Sequence, residues 1–381
     1  MSHVTAPVAE LACFAVAAPG LEPLVGAELQ AIRARHPLTI EAPEPGGLGF
    51  RTDLAGLYAA NLHLRIASRV LVRVGSFHAA AFHELERHAR RLPWSHFVKD
   101  GQSVSFRVTS RKSRLYHQDA VAERLLAAVG AGLAVAPAED GGAAQEFVIR
   151  LHRDQCMVSA DASGELLHRR GYRLDTGKAP LRETLAAAML AAAGWTGQAP
   201  LLDPMCGSGT IPIEAAMLAR RIPPGIDRSF AFERWPEFDC ELWQTVRDMA
   251  RDRMLAASPV PILGSDRDAG AVQAATGNAE RAGVGADVTW RRAAVSAIEP
   301  PRPTGWVVTN PPYGVRVGER NRLRDLYAQF GNVMRAKCPG WEVAMLTAHS
   351  ELERQTGLPL ESRFETTNGG IRVRLMRARV P

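Results

Sequence analysis

Leu201-Leu202-Asp203-Pro204-Met205-Cys206-Gly207-Ser208-Gly209-Thr210 reads as a buried strand, a glycine loop and the start of a helix. A helical stretch continues from Thr210 to Arg220. Gly207 and Gly209 let the backbone approach a bound ligand closely. The helix presents its free N–H groups to the same spot. The spacing is not that of a dinucleotide-binding loop, and no lysine follows as in a phosphate-cradling loop. Asp203 at the strand end would repel a pyrophosphate but suits a cationic ligand. S-adenosylmethionine fits, with its amino and sulfonium charges. A tight strand-to-helix turn with no ligand is the structural alternative.

Outward from this loop the chain alternates. Apolar strands at 199–203, 260–265, 286–290, 304–309 and 341–347 are separated by helical segments, and Ile371 to Met376 supplies a final strand. That alternation predicts an α/β fold with a mostly parallel, doubly wound sheet. Ile262-Leu263-Gly264-Ser265-Asp266 is a second strand end, and its carboxylate suits a ribose diol. Asp266 lies 63 residues beyond Asp203, where about 20 to 30 separate such strand ends in one βα step. Residues 222–261 therefore contain an insertion. Its aromatics, Phe230, Phe232, Trp235, Phe238 and Trp243, are expected to pack rather than to line a substrate cleft, because aromatics usually bury.

A third strand, Gly305 to Thr309, ends in Asn310-Pro311-Pro312-Tyr313. Ligands of open α/β sheets sit at such carboxyl ends. The residues point to methylation of an amino nitrogen conjugated to a planar ring or carbonyl. The Asn310 side-chain carbonyl and the Pro311 main-chain carbonyl can both accept N–H bonds from that nitrogen. Neither proline has an N–H to compete, and their fixed φ holds the carbonyls still. Tyr313 can stack on the ring that carries the nitrogen. The alternative is a strand-ending Pro-Pro turn with a packing tyrosine.

The N-terminal half is organised differently. Helix-like segments at 21–32, 53–64, 81–91 and 119–129 alternate with extended pieces at 49–51, 70–74, 103–109, 146–151 and 155–160. Asp53 is a plausible N-cap. Two small α+β units are expected, 1–74 and 75–165, with 166–179 as a linker and 180–381 as the α/β domain. The 381 residues suffice for that many domains. A hydrophobic fraction of 46% and a charged fraction of 23% are ordinary for a soluble globular protein. No apolar run approaches the roughly 20 residues that span a bilayer, so no membrane partner is expected. Five scattered cysteines without CxxC spacing argue for a reducing cytoplasm and against structural zinc. His78, His83, His88 and His96 lack metal-site spacing, and no metal is expected. Net charge is +6. From Arg87 to Arg124, nine basic residues face only Asp100, Asp119 and Glu123. That stretch is the candidate nucleic-acid surface; a solvated basic face is the alternative.

Three further segments complete the picture: Arg111-Lys112-Ser113-Arg114-Leu115-Tyr116-His117, Leu167-His168-Arg169-Arg170-Gly171-Tyr172-Arg173 and Ala179-Pro180-Leu181-Arg182-Glu183-Thr184-Leu185-Ala186. Together with 203–210, Asp266 and 310–313, they make the chain resemble THUMP-domain class I RNA guanine-N2 methyltransferases of the 23S rRNA-modifying RlmL type. The resemblance covers essentially the whole chain. It implies a Rossmann-like methyltransferase domain preceded by ferredoxin-like and THUMP domains, the last at 75–165. It implies S-adenosylmethionine as cofactor, held by Pro180, Asp203, Pro204, Met205, Cys206, Gly207, Ser208, Gly209, Thr210, Asp266, Arg267 and Asn310. Asn310, Pro311, Pro312 and Tyr313 are the implied catalytic set. Arg111, Lys112, Arg114, Arg169 and Arg170 are the implied RNA contacts. The RNA expected is 23S rRNA or an assembly intermediate; tRNA guanine methylation, DNA adenine methylation and a non-catalytic assembly role are the rivals. One departure stands out. The family's acidic adenine contact falls at Ala294, so a backbone carbonyl would have to replace it.

Overall fold

The computed structural model describes residues 10–138, 144–174, 181–313 and 320–381. The N-terminal half contains β1 (Leu11–Val16), α1 (Glu22–Arg33), β2 (Leu38–Glu44), β3 (Gly47–Thr52), α2 (Leu54–His63), β4 (Arg69–His78), α3 (Phe82–Ala89), β5 (Ser103–Arg111), α4 (Gln118–Gly130), β6 (Ala136–Pro137), β7 (Gln145–His152) and β8 (Gln155–Asp161). Local chemistry places several of these ends. Asp53 caps α2, its carboxylate accepting from the Gly56 N–H at 2.8 Å. Arg153 and Asp154 turn the β7–β8 hairpin with φ of 52° and 61°, the left-handed pair that matches strand twist in a two-residue turn.

All eight strands form one sheet, in the order β2-β3-β1-β4-β8-β7-β5-β6. β4 pairs with β1 on one side and β8 on the other. The expected boundary at 74/75 thus falls inside β4, and the two α+β units share that strand. The segment expected as a linker is also corrected where it is described. Leu167 and Tyr172 are buried, so 166–174 is packed chain.

The C-terminal half contains α5 (Glu183–Ala193), β9 (Leu201–Asp203), α6 (Thr210–Ala219), α7 (Cys240–Arg251), β10 (Ile262–Asp266), α8 (Ala269–Arg281), β11 (Val288–Arg292), β12 (Trp306–Thr309), α9 (Arg320–Lys337), β13 (Glu342–Thr347), α10 (Ser350–Gln355), β14 (Glu361–Asn368) and β15 (Ile371–Arg379). Its sheet runs β11-β10-β9-β12-β13-β15-β14. The strands from β11 to β13 are parallel, and β15 is antiparallel to both neighbours. This is the expected α/β arrangement, Rossmann-like, with a C-terminal hairpin added. The order reverses between β9 and β12, and open α/β sheets bind ligands at that crevice.

The insertion, 222–261, joins the halves. Phe232 stacks on Tyr58 of α2 at 4.5 Å between ring centroids. Trp235 meets Phe97 edge-on at 5.0 Å and donates its indole N–H to Gln145 at 2.8 Å. The Tyr58 hydroxyl accepts from the Asp239 N–H at 3.1 Å. Four of the five insertion aromatics are buried and Phe238 partly so. They pack, as expected, but they pack between domains. Phe232→Ala is expected to lower the unfolding free energy by about 3–5 kcal/mol in urea denaturation. A loss below about 1 kcal/mol would mean that the ring does not anchor the junction.

Candidate active site

Burial holds the centre of the site. Leu201 and Leu202 are fully covered in mid-sheet, so Asp203 arrives at the strand end in a fixed place. The chain then turns through Gly207 at φ 52° and Gly209 at φ 85°, backbone that glycine adopts without strain. The two glycines serve different ends. A Cβ on Gly209 would come within 2.8 Å of both Trp290 and Ala275, whereas one on Gly207 would meet nothing within 4 Å. Gly209 therefore permits packing of α6 against its neighbours. Gly207 faces open space, where a ligand can approach the backbone.

Asp203 is 1% exposed. Its Oδ1 accepts from the Thr309 hydroxyl at 2.7 Å and from the Met205 N–H at 3.1 Å. Burial pushes its carboxyl up to about 7, the two hydrogen bonds opposing and Asp266 adding to the rise. Asp266 is half-buried at the end of β10. Its Oδ2 accepts from the Gly207 N–H at 3.0 Å, and its Oδ1 from the Asp268 N–H at 3.0 Å. A carboxylate has further lone pairs, so a diol can still be received. The Cys206 N–H donates to the Ser265 carbonyl at 3.0 Å, which ties the loop to β10. Cys206 itself is buried, and burial raises its thiol far above the usual range. It is a wall, not a nucleophile. Pro204 and Thr210 are buried, Met205 and Ser208 partly so, and Arg267 is exposed. Pro180 lies outside the described residues.

Asn310 follows Thr309 directly. Its Oδ1 is buried and has no hydrogen-bond partner among the described residues. A buried carbonyl without a donor costs about 1–3 kcal/mol, and such a group calls for an explanation. Pro311 is buried and Pro312 exposed. Tyr313 is half-buried, and its hydroxyl accepts from the Asn368 amide at 2.8 Å. Asn368 stands at the tip of the β14–β15 hairpin, before Gly369 and Gly370 at φ 57° and 84°. Sequence reading missed Asn368 because its partner lies 55 residues away. The Asn-Gly-Gly turn was the only local signal.

The structure brings together Asp203–Thr210, Asp266 and Asn310–Tyr313, as expected. At the Ala294 position it supplies no carboxylate. Ala294 is exposed, and the neighbouring Ala293 N–H donates to the Asp266 carbonyl at 2.9 Å. Arg111, Lys112 and Arg114 are exposed on the far sheet's β5 end, beside Tyr116, which is 66% exposed. Arg169 is exposed, in an ion pair with Glu165. Arg170 corrects an expectation. It is buried, its guanidinium bonding to the Leu167 and Arg65 carbonyls and to Glu214 at 3.4 Å. With every face occupied by protein, it holds the interdomain segment on α6 and does not face RNA. The residues around the β9–β12 crevice fit the cofactor expected from sequence. Carboxylates stand where a cationic amino group and a ribose diol would lie, and Gly207 leaves the room.

Comparison with known proteins agrees with this geometry. The family profile described as "RMKL-like, methyltransferase domain" matches residues 170–376, and that of the "RlmL ferredoxin-like domain" matches residues 12–71. The chain is 34% identical over 375 residues to "Putative RNA methyltransferase slr0064" of Synechocystis sp., covering 96% of this chain and 95% of that protein. It is 36% identical over 378 residues to ribosomal RNA large subunit methyltransferase K/L of Methylococcus capsulatus, covering 95% of this chain but 50% of the relative. The chain thus spans about half the length of that relative. It superposes with a TM-score of 0.88 on "SMU.472, a putative methyltransferase complexed with SAH", at 30% identity and 98% coverage of each chain.

The raised Asp203 carboxyl makes a sign-definite prediction. In the unfolded chain it ionises near 3.8, in the fold near 7. Its contribution to stability is therefore fully present below pH 4 and is lost as pH rises through 7. Asp203→Asn should remove that loss, gaining a few kcal/mol relative to the native chain at pH 8 but not at pH 4. Urea melts of both proteins at the two pH values check this. An equal difference at both would mean that folding does not raise the Asp203 carboxyl.

Proposed function

This chain belongs to the RMKL-like methyltransferase family and takes S-adenosylmethionine as cofactor, and we propose that it methylates the exocyclic N2 amino group of a guanine in RNA, 23S rRNA first. The observation that carries the reading is the buried, unpartnered Asn310 Oδ1. It sits one residue beyond the Thr309–Asp203 hydrogen bond, beside the cofactor crevice. An acceptor held there without a donor among the described residues is explained by a substrate that brings an N–H.

When bound, S-adenosylmethionine supplies an electrophilic methyl group. The chain's own residues do the rest. Asp203 would hold the cofactor's amino group, whose positive charge would keep the carboxylate ionised. Asp266, oriented by the Gly207 N–H, would hold the ribose hydroxyls. Pro204, Met205, Cys206, Ser208, Gly209 and Thr210 shape the loop around them, with Arg267 at its rim. A guanine leaves its stack at a cost of a few kcal/mol and lies against Tyr313, whose ring Asn368 holds by its hydroxyl. Asn310 Oδ1 and the Pro311 carbonyl accept the two N–H bonds of the amino group. Those bonds draw the nitrogen lone pair out of conjugation and aim it. As the nitrogen–methyl bond forms, the sulfur–methyl bond would break and S-adenosylhomocysteine would leave; the methylated nitrogen is cationic and loses its proton to water, so no strong base is needed. Catalysis rests mainly on positioning.

RNA as substrate rests on the N-terminal half. Residues 75–165 are the THUMP unit in this reading, and Arg111, Lys112 and Arg114 contact phosphates, with Tyr116 available to stack on a base. Arg169 adds to that surface. The large-subunit specificity follows the name of the K/L relative. Ala294 alone favours a non-catalytic role. Against it stand Gly207, Asp203, Asp266 and Asn310, all in place.

Asn310→Ala is expected to cut N2-methylguanosine formation on 23S rRNA about a hundredfold or more, followed by nucleoside mass spectrometry. Cofactor and RNA should still bind; retained turnover would remove Asn310 from the reaction. Replacing Arg111, Lys112 and Arg114 together should lower the slope of log affinity against log salt by about 2, near 0.7 per phosphate contact on a single strand. An unaltered slope would place the RNA elsewhere.

A further inference from the structure

A second pocket of about 220 Å³ opens at the junction of the halves, between α1, α2, the end of α6 and α7. Leu218, which lines it, lies eight residues into α6, about 12 Å from the glycine loop at 1.5 Å per residue. The pocket is therefore separate from the crevice at the head of β9 and β12.

Its lining is unusually cationic. Arg35, Arg65 and Arg253 surround it, with His36 and His63. The Arg35 and Arg253 guanidiniums make no hydrogen bond or ion pair among the described residues, and both residues are exposed. Arg65 is 13% exposed and its Nη1 finds no hydrogen-bond acceptor, the nearest carboxylate oxygen, Glu214 Oε2, being 3.8 Å away. Glu214 is already shared with Arg170 at 3.4 Å and Tyr172 at 3.2 Å. The other carboxylate, Glu28, lines the pocket but is spoken for. Its two oxygens accept from the Arg65 and Ile66 N–H groups at 3.1 Å each. Burial, and then the charges of Arg65, Arg35, His36 and Arg253, push the His63 imidazole down to about 3. Positive charge in this pocket exceeds what the protein's own acids balance. The opposite wall is apolar, formed by Val246, Met249 and Ala250 of α7, and Met249 is 41% exposed.

We propose that this pocket binds a phosphate group, with the organic part of the ligand against the α7 wall. Phosphate brings up to two charges and three acceptor oxygens, which converging guanidiniums recognise better than they do any neutral group. The group can come from a free nucleotide or from an RNA chain that wraps the junction. The inference does not depend on the methylated base.

The test is calorimetric titration of the full chain with inorganic phosphate, with guanosine monophosphate and with a short single-stranded RNA. One saturable site for phosphate is expected. Affinity should fall about a hundredfold in Arg35→Ala/Arg253→Ala, a factor of ten per charge-assisted contact. Met249→Asp, which puts a carboxylate at the rim, should weaken it too. Both variants should keep the phosphate-free melting temperature and the affinity for S-adenosylmethionine. Tighter binding of the nucleotide assigns the group to a free ligand; displacement of phosphate by the RNA, lost in the same variants, assigns it to the nucleic acid. Absence of saturable phosphate binding, or unchanged affinity in both variants, overturns the proposal.

Discussion

The parallel pairing of β9 with β12 is the constraint on which the site depends. The two strands are 105 residues apart in sequence, yet Trp306 lies opposite Leu201 and Val307 opposite Leu202. This register brings Thr309 to Asp203, and the hydroxyl–carboxylate bond locks it. A slip of one residue would turn the alternate side chains to the other face of the sheet. The carboxylate and Asn310 would then no longer share the crevice. Because the sheet order reverses here, helices diverge on either side and leave an opening. The catalytic and cofactor elements therefore occupy one place for a single reason.

The second requirement is that the two halves hold together. The insertion aromatics press onto Tyr58 and Phe97. Below them Glu214 of α6, 1% exposed, gathers Arg170, Tyr172 and Arg65. A buried carboxylate is tolerable only when paired and hydrogen-bonded. Its partners come from two stretches, Arg65 after α2 and Arg170 and Tyr172 in the interdomain segment, so the charge fixes their arrangement. The helix that begins at the glycine loop is in this way tied to the N-terminal half, and a basic surface on one half is carried at a set distance from the chemistry of the other.

Much of this was legible along the chain. Strand ends announce themselves by an apolar run broken by Asp203, Asp266 or Asn310, and Asp53 signalled a helix start that the structure bears out. These are local signals, set by burial and by backbone chemistry within a few residues. β2 and β14 escaped notice because each is an edge strand of mixed polarity, with few of its residues buried. Edge strands draw their order from a neighbour, not from their own pattern. The unit boundary at 74/75 falls within β4 for a related reason. A strand shared by two units carries no break in sequence.

By itself, then, the sequence determined the α/β class, the glycine loop, the carboxylates at two strand ends and the asparagine at a third, because each follows from residue type and near neighbours. Only the tertiary structure decided that Asn310 keeps an acceptor unmet among the described residues, that Asn368 reaches Tyr313, that Arg170 is buried against Glu214 and that the insertion aromatics clamp two domains. Those outcomes depend on which distant groups meet and on how much water is excluded where they do. Charge and polarity are written in the chain, but burial, which sets their consequence, arises only when the chain has folded.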